Sequence, residues 1–406
     1  MKILCAFGKH NYGDASRGLG YEYANFLPAL QHLGHELAFF ELWDRSAYSD
    51  FAELNRRFLQ AVEGEAPDVV LCVTMTTELW LETLELARKG SDALFIHWNP
   101  DDSWKYRQNS RLIAPGFDAM ATTYPAVQQQ AAADGLHDFV LTQWAANSAV
   151  FNEPLPAEAC EHDVSFVGSA YGNRLAWIEA LQQRGIEVAC FGHGWPNGPV
   201  AAGDIPRIMR ASRISLNFGD SGVVMQGVKP LRSRQIKARV FEVPGAGGLL
   251  LTEDAEHLAD CFRPDEEIVV FNDVDDLAQR IRALLAEPAR RDAIARAGHE
   301  RCKKEHSYEA RFSALLEAAN AMRSCRSRHA CKMDMAAFER IALRHRAVPA
   351  LKLLRALLLL PCSLIWGRQR GVRAARRMLF ELSWRLVGDR VYRAAGWPGR
   401  LFYHES

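Results

Sequence analysis

The sequence predicts an α/β chain: two successive domains, each with a parallel sheet flanked by helices, followed by a basic helical extension. Three observations predict it. Short apolar runs alternate with helical-period segments from the first residues onward. A second series of the same kind starts at Asp163, after an aperiodic stretch holding Pro154 and Pro156. The charge of Cys331 to Ser406, 15 Lys/Arg against 5 Asp/Glu, departs from the 34 against 44 of everything before it. At 406 residues the chain also exceeds one domain of roughly 150 residues.

Met1 to Phe7 opens the chain as a buried strand; its apolar run stops at Gly8-Lys9-His10 and is too short for a signal peptide. A glycine-rich loop follows. From Tyr21, apolar residues recur at helical spacing until Gly34, and His35 to Glu41 reads as a second strand. The loop lacks the G-x-G-x-x-G spacing, which argues against a nicotinamide cofactor. A helix from about Asp50 to Val62 leads into a strand at Pro67 to Val73. The next helix leads into A-L-F-I-H-W-N-P-D-D-S-W, a strand ending on His97, Asn99, Asp101 and Asp102. Polar groups at the carboxyl end of a parallel strand project into a ligand crevice. His97 suits a proton in transit or a hydroxyl contact, and equally a hydrogen-bonded core histidine. Asp101 and Asp102 read also as a turn and a helix N-cap. Phe117 to Thr123 and Phe139 to Asn147 complete a first domain over 1–150, and Phe151 to His162 reads as a linker.

The second domain, 151–325, opens with D-V-S-F-V-G-S, a strand delivering Gly168 to a loop that ends in Arg174. A helix, Gly185 and the strand I-E-V-A-C-F-G follow. Ile214 to Phe218 is a strand, and Gly219 to Arg234 a long loop, basic toward its end. Then comes K-A-R-V-F-E-V-P-G-A-G-G-L-L-L-T-E-D: a helix start carrying Lys237, Arg239 and Glu242, a turn through Gly247 and Gly248, and a buried strand. Cations beside a glycine turn fit a bound polyphosphate; an ordinary helix-to-strand connection with a solvated charged face fits as well. Asp273 to Asp276 precedes a helix at N-cap spacing and reads as a cap, so no metal is expected. The nine cysteines are scattered without a C-x-x-C pair, which fits a reducing compartment.

In the extension, 331–406, Lys352, Arg355 and Pro361 interrupt the apolar run Val348 to Gly367. Its uncharged part is shorter than the roughly 20 residues a membrane span needs. Arginines at 368, 370, 373, 376 and 377 follow, interleaved with aromatic residues through Tyr403. Two readings fit: a segment over 348–403 lying in the headgroup region of an anionic membrane, or an amphipathic helical hairpin packed on the protein itself. Long leucine runs do not suit nucleic acid.

Blocks in one order carry a resemblance: D-V-S-F-V-G-S-A-Y-G-N-R (163–174), S-L-N-F (215–218), K-A-R-V-F-E with G-G-L-L-L-T-E, F-R-P-D-E-E-I-V-V-F (262–271), I-A-R-A-G (294–298) and H-S-Y-E-A-R (306–311). Asp163 to about Arg311 resembles the C-terminal half of the CgeB-like glycosyltransferases, relatives of the GT-B nucleotide-sugar transferases. The resemblance implies a GT-B fold of two Rossmann-like domains facing a cleft, the first on the acceptor side. It implies a nucleoside-diphosphate sugar as co-substrate, with neither cofactor nor metal. By that resemblance Lys237 and Arg239 clamp the donor diphosphate, with Arg174 and Gly168 beside it, Glu242 holds the nucleotide ribose, and Arg17 and Gly18 line the cleft. Arg234 stands where retaining relatives carry an acid, so retention is only a lean; under inversion His97 or Asp101 is the base. The implied acceptor is a cell-surface polysaccharide or a lipid-linked glycan, at the cytoplasmic face of the plasma membrane. A non-catalytic binding scaffold and a nucleotide-sugar epimerase are the competing readings. Donor hydrolysis and turnover without acceptor discriminate among them.

Overall fold

The computed structural model describes residues 1–226, 229–324, 332–346 and 348–403; the expected domain limits at 325 and 331 lie outside these. The chain forms two compact units, one of residues 1–142 with 314–406, the other of 143–313.

The first unit is built on an all-parallel sheet of six strands, β1 (Lys2–Phe7), β2 (Glu36–Glu41), β3 (Val69–Cys72), β4 (Leu94–Asn99), β5 (Ala119–Thr122) and β6 (Phe139–Leu141), in the order β2-β1-β3-β4-β5-β6. The continuous apolar runs that made these segments legible are the ones a sheet covered on both faces demands: β3, β4 and β5 are buried at every residue. The strand order turns back beside β1, which pairs with β2 on one side and β3 on the other. Helices Tyr21–His32, Phe51–Glu65, Leu81–Lys89 and Pro125–Ala133 make the connections, and Asp50 caps the second by accepting from the Glu53 N–H at 2.8 Å.

The second unit holds a five-stranded parallel sheet, ordered β13-β12-β9-β7-β8, from β7 (His162–Val167), β8 (Ala189–Phe191), β9 (Ser212–Asn217), β12 (Leu250–Glu253) and β13 (Val269–Phe271). Between β9 and β12 the expected loop 219–234 is instead an antiparallel pair, β10 (Asp220–Gln226) and β11 (Lys229–Arg234). Gly222 and Pro230 read as breakers in sequence, yet the two strands pair through a register shift near Gly222.

The stretch 151–162 is no free linker. Arg291, wholly buried, donates to the carbonyls of Leu155 (2.7 Å), Ser212 (2.9 Å) and Arg213 (2.7 Å), and the Ala157 N–H reaches Asp292 at 3.1 Å. One guanidinium thus ties an aperiodic segment to the sheet, and the second unit begins at Gln143 rather than at 151.

The extension packs on the first unit. Phe338 stacks on Trp80 at 6.2 Å, Arg56 grips Glu339 through two bonds of 2.7 and 2.9 Å, and Tyr392 Oη donates to the Gln108 carbonyl at 2.7 Å. The Tyr403 hydroxyl lies 3.1 Å from the carbonyls of both Arg45 and Tyr48. Within it, the helical segment Pro349–Val387 breaks at Gly367, whose φ of 77° reverses the chain. The arms lie so close that a Cβ on Gly371 would stand 2.5 Å from Ser363 Cα. Leu351, Cys362, Ala375 and Leu379 bury themselves between the arms with Leu401 and Phe402, while Leu353, Leu357, Leu360 and Leu364 form an exposed stripe on the first arm. By length and composition alone, 349–392 is also apolar enough to cross a membrane. The hairpin reading of the sequence describes the fold, and its outer face stays apolar.

Candidate functional site

In the second unit, the carboxyl ends of β7 and β9 gather the cations. β7 ends at Val167, and Gly168 follows with φ +155°, its N–H donating to the Phe191 carbonyl at 2.7 Å and its carbonyl accepting from Trp195 Nε1 at 2.6 Å. Six residues after Gly168, the helix Arg174–Gln182 begins. Arg174 is 3 % exposed; it folds back to donate to the Ser169 carbonyl (2.9 Å) and to Tyr171 Oη (3.0 Å), its guanidinium 3.9 Å from the Tyr171 ring centre. Burial, and then the charge of Arg239, push the Arg174 pKa down to about 10. Arg239 opens the helix Arg239–Gly245 and reaches the end of β9, donating to Asn217 Oδ1 at 3.4 Å. Both guanidiniums lie 5.2 Å from the Phe166 ring, and a Cβ on Gly168 would stand 2.8 Å from Arg239 Nη2. Two like charges held at one strand end, in partly desolvated surroundings, make a place that favours an anion.

Next to it, Glu253 ends β12, 1 % exposed. Arg232 of β11 grips it through both terminal nitrogens, one at 2.8 Å, and the Gly219 N–H adds a bond of 3.0 Å. Arg232 also reaches Asp220 at 3.2 Å. This pair fastens the β10–β11 hairpin to the sheet.

Of the residues expected here, the structure therefore joins Gly168, Arg174 and Arg239. Lys237 and Glu242 are half-buried around the same helix start: the Lys237 carbonyl accepts from the Val240 N–H at 2.9 Å, and the Glu242 N–H donates to the Ala238 carbonyl at 3.0 Å. Gly247 and Gly248 do not stand beside the cations, as the sequence reading had them. They lie past the far end of the helix, eight residues from Arg239 or roughly 12 Å along its axis, and lead into the amino end of β12. Gly247 has φ +87° and packs on the carbonyl of Asn152, and a Cβ on Gly248 would stand 2.5 Å from the Met209 carbonyl oxygen. That corner is a close-packed helix-to-strand connection. Phe166, Tyr171 and Asn217 stand in the blocks that carry the resemblance, but nothing in their spacing marks them as supports of an arginine, nor Trp195 as a partner of Gly168.

In the first unit, His97 is 1 % exposed on β4. Its Nε2 lies 2.8 Å from Thr74 Oγ1, its ring is edge-on to Phe117 at 4.8 Å, and burial pushes its pKa down to about 3. His97 thus lies in the core with Nε2 bonded, while its Nδ1 is buried with no partner among the described residues. Asp101 is partly exposed and ion-paired with Lys105 at 3.1 Å, with no side-chain capping bond. Asp102, expected either at the crevice or as part of a turn and cap, is 2 % exposed, accepts from Ser110 Oγ, and is pushed up to about 7 by burial; Glu22, at the start of the helix Tyr21–His32, is likewise pushed to about 7 by burial and then by Asp101. Buried acids are the groups that burial keeps protonated near neutrality. Arg17 is held by Asp14 at 3.2 Å over the Tyr12 ring, next to Gly18 with φ +78°.

Asp273 caps the helix Val274–Ala286, accepting from the N–H groups of Asp275 (3.0 Å) and Asp276 (2.9 Å), as its spacing predicts. Among the described residues, Glu153, His299 and Glu300 bring ligand-type atoms within 4.8 Å of one another, but Glu153 already pairs with Lys303 at 3.2 Å and His299 Nδ1 lies 2.9 Å from the Pro244 carbonyl.

Residues 174–317, which include Arg174, Arg232, Arg239 and Glu253, match the family described as glycosyl transferase-like. Comparison with curated proteins found no match. Among solved structures, the chain is similar to a sucrose-phosphate synthase from Thermosynechococcus elongatus (TM-score 0.56, 12% identity, covering 80% of this chain and 100% of that one). It is similar also to a glycosyltransferase from Rickettsia africae (0.54, 13%, 79% and 98%) and to Anabaena HepE in complex with UDP and glucose (0.54, 13%, 79% and 100%). The fold, two parallel-sheet Rossmann-like units, is that of the GT-B glycosyltransferases.

Proposed function

We propose that the protein is a glycosyltransferase that moves a sugar from a nucleoside-diphosphate donor onto a cell-surface polysaccharide or lipid-linked acceptor, without a metal, at the inner face of the plasma membrane. The observation that carries the reading is the convergence of Arg174 and Arg239 on Gly168 at the ends of β7 and β9, inside the matched region. As the glycosidic bond breaks, the departing diphosphate gains negative charge; fixed cations at that spot stabilise the transition state more than the ground state. Arg174 is locked by Ser169 and Tyr171 and loses little freedom on binding. Arg239 and Lys237 supply the charge nearest the helix start, and Glu242 a carboxylate for the ribose. Under inversion Asp101, on the first unit's β4 loop, is the better base to test than the enclosed His97.

The test is an Arg239→Ala, Lys237→Ala double variant, checked for folding by circular dichroism and assayed for release of nucleoside diphosphate from a panel of sugar nucleotides. Loss of turnover with the fold retained is expected, and unchanged turnover removes the clamp. Turnover of free sugar nucleotide to an isomer, with no acceptor present, would favour an epimerase. The exposed leucines of the first hairpin arm and the arginines of the second are the features that support docking on an anionic membrane, with the hairpin lying in the headgroup layer.

A further inference from the structure

Within the first unit, the second arm of the hairpin closes a cavity of about 440 Å³ over the carboxyl ends of the sheet. One wall is made by loops that follow parallel strands: Tyr12 after β1, Arg45 after β2, Met75 to Thr77 after β3, and Trp104 to Asn109 after β4. The other is the helix face that presents Arg373, Arg376, Arg377 and Phe380, at i, i+3, i+4 and i+7. Among the described residues five cations thus line the cavity, Arg45, Lys105, Arg373, Arg376 and Arg377, against one acid, Glu381. That acid is already engaged by Trp384 Nε1 and Arg385, each at 3.1 Å.

Arg45 is the most telling of them. Its side chain is nine-tenths buried, its Nη2 donates to the wholly buried Glu78 at 2.7 Å, and its guanidinium sits 4.4 Å from the Phe51 ring centre. Its Nε and Nη1 are buried with no acceptor among the described residues. A buried N–H without a partner destabilises the fold, so a site that keeps two of them beside three further arginines is built for an anionic ligand. Burial, with Arg45 and Arg373 nearby, holds the Arg376 guanidinium below the usual arginine range.

We infer that this cavity binds a phosphate or diphosphate ester carried by the acceptor, with the acceptor's apolar portion against Met75, Trp104 and Phe380. The inference rests on the transferase reading for the word acceptor, but the site and its ligand chemistry do not. Arginine forks suit phosphate oxygens better than lysine does, and the apolar walls suit an isoprenoid or acyl chain rather than a free anion. The same hairpin carries the exposed leucine stripe, so a lipid-borne phosphate reaches the cavity along the surface that holds the protein to the bilayer.

The experiment measures binding of the full chain, without donor, to phosphatidylcholine vesicles doped with a polyprenyl phosphate, against vesicles of matched charge made with phosphatidylglycerol. Tighter binding to the polyprenyl phosphate is expected. Arg373→Gln with Arg377→Gln, both exposed and safe for the fold, should remove that preference by about tenfold or more. Inorganic pyrophosphate should compete for the preference. Equal binding to both vesicles, or a preference unchanged in the double variant, overturns the proposal. Competition by pyrophosphate at the affinity of the vesicle would also overturn it, as that means a free anion without an apolar part. Nucleotide binding, followed separately by thermal shift with UDP, reports on the second unit. Its failure would sink the transferase reading while leaving this result standing.

Discussion

Arg174 and Arg239 come from helices 65 residues apart in sequence, yet each places its guanidinium 5.2 Å from the one Phe166 ring. What lets Arg239 in is the absence of a side chain at Gly168, where a Cβ would stand 2.8 Å from Nη2 and 3.2 Å from Phe166 Cζ. Gly168→Ala is therefore expected to displace Arg239 and to strain a backbone at φ +155°. Losing one charge-assisted bond to a diphosphate corresponds to about a ten- to hundredfold fall in donor affinity. Isothermal titration with the nucleoside diphosphate measures it; unchanged affinity would mean that Arg239 does not reach the ligand.

A second expectation concerns stability. Glu253 is enclosed and depends on Arg232 for a bidentate partner. Arg232→Met keeps the length of the side chain and removes the charge, leaving a buried carboxylate with the Gly219 N–H. The cost should be roughly 3 kcal/mol, read as a lower urea midpoint with an unchanged slope. Arg232→Met with Glu253→Gln should recover most of it.

Both arginine pairs show why the fold was legible in the sequence and the site only in part. The strands were plain, because a parallel sheet buries nearly every residue of β3, β4 and β9 and leaves apolar runs that glycine turns punctuate. Arg174 and Arg239 could be singled out because a cation just after a strand end, or at a helix start, is a local pattern. Their convergence on Phe166 is not local, and neither is the Arg232–Glu253 grip, which depends on a hairpin that Gly222 and Pro230 disguised as a loop. The double glycine misled for a physical reason: a turn that packs backbone on backbone has the composition of a turn that cradles phosphate, and only the helix length separates the two.

The pH dependence of stability follows from the buried groups of the first unit. Asp102, pushed up to about 7 by burial, keeps its proton in the folded chain at pH values where the unfolded chain, with a carboxyl near 3.8, has lost it. Its contribution is therefore complete below about pH 3.8 and is lost as pH rises to 7; Glu22 slopes the same way. His97, pushed down to about 3, slopes oppositely: its contribution is complete above 6.5 and is lost as pH falls toward 3. Asp102→Asn removes one falling limb. Relative to the parent chain, its melting temperature should climb steadily between pH 4 and 7 and change no further above pH 8. Scanning calorimetry across that range decides it, and a difference independent of pH would mean that Asp102 is ionised in the fold.

The hairpin yields the last expectation, because its two faces are separable by mutation. Gly371 sits where the arms touch, 2.5 Å separating a would-be Cβ from Ser363 Cα, so Gly371→Val must push the arms apart. Overpacking of that kind costs about 1–3 kcal/mol and should appear as protease sensitivity within 349–387, with the rest of the chain resistant. Leu357, Leu360 and Leu364, each more than three-fifths exposed, lie on the outer face and touch none of that packing. Their joint replacement by serine should leave the fold and UDP binding intact. If the hairpin lies in a bilayer, it should weaken co-sedimentation with anionic vesicles on the order of a hundredfold, at about 1 kcal/mol for each partly inserted leucine. A peripheral hairpin should also be released by alkaline carbonate, whereas a spanning one would not. Loss of vesicle binding in Gly371→Val alone, with the triple serine variant binding normally, would mean that the arms dock through their shared face and not through the leucine stripe.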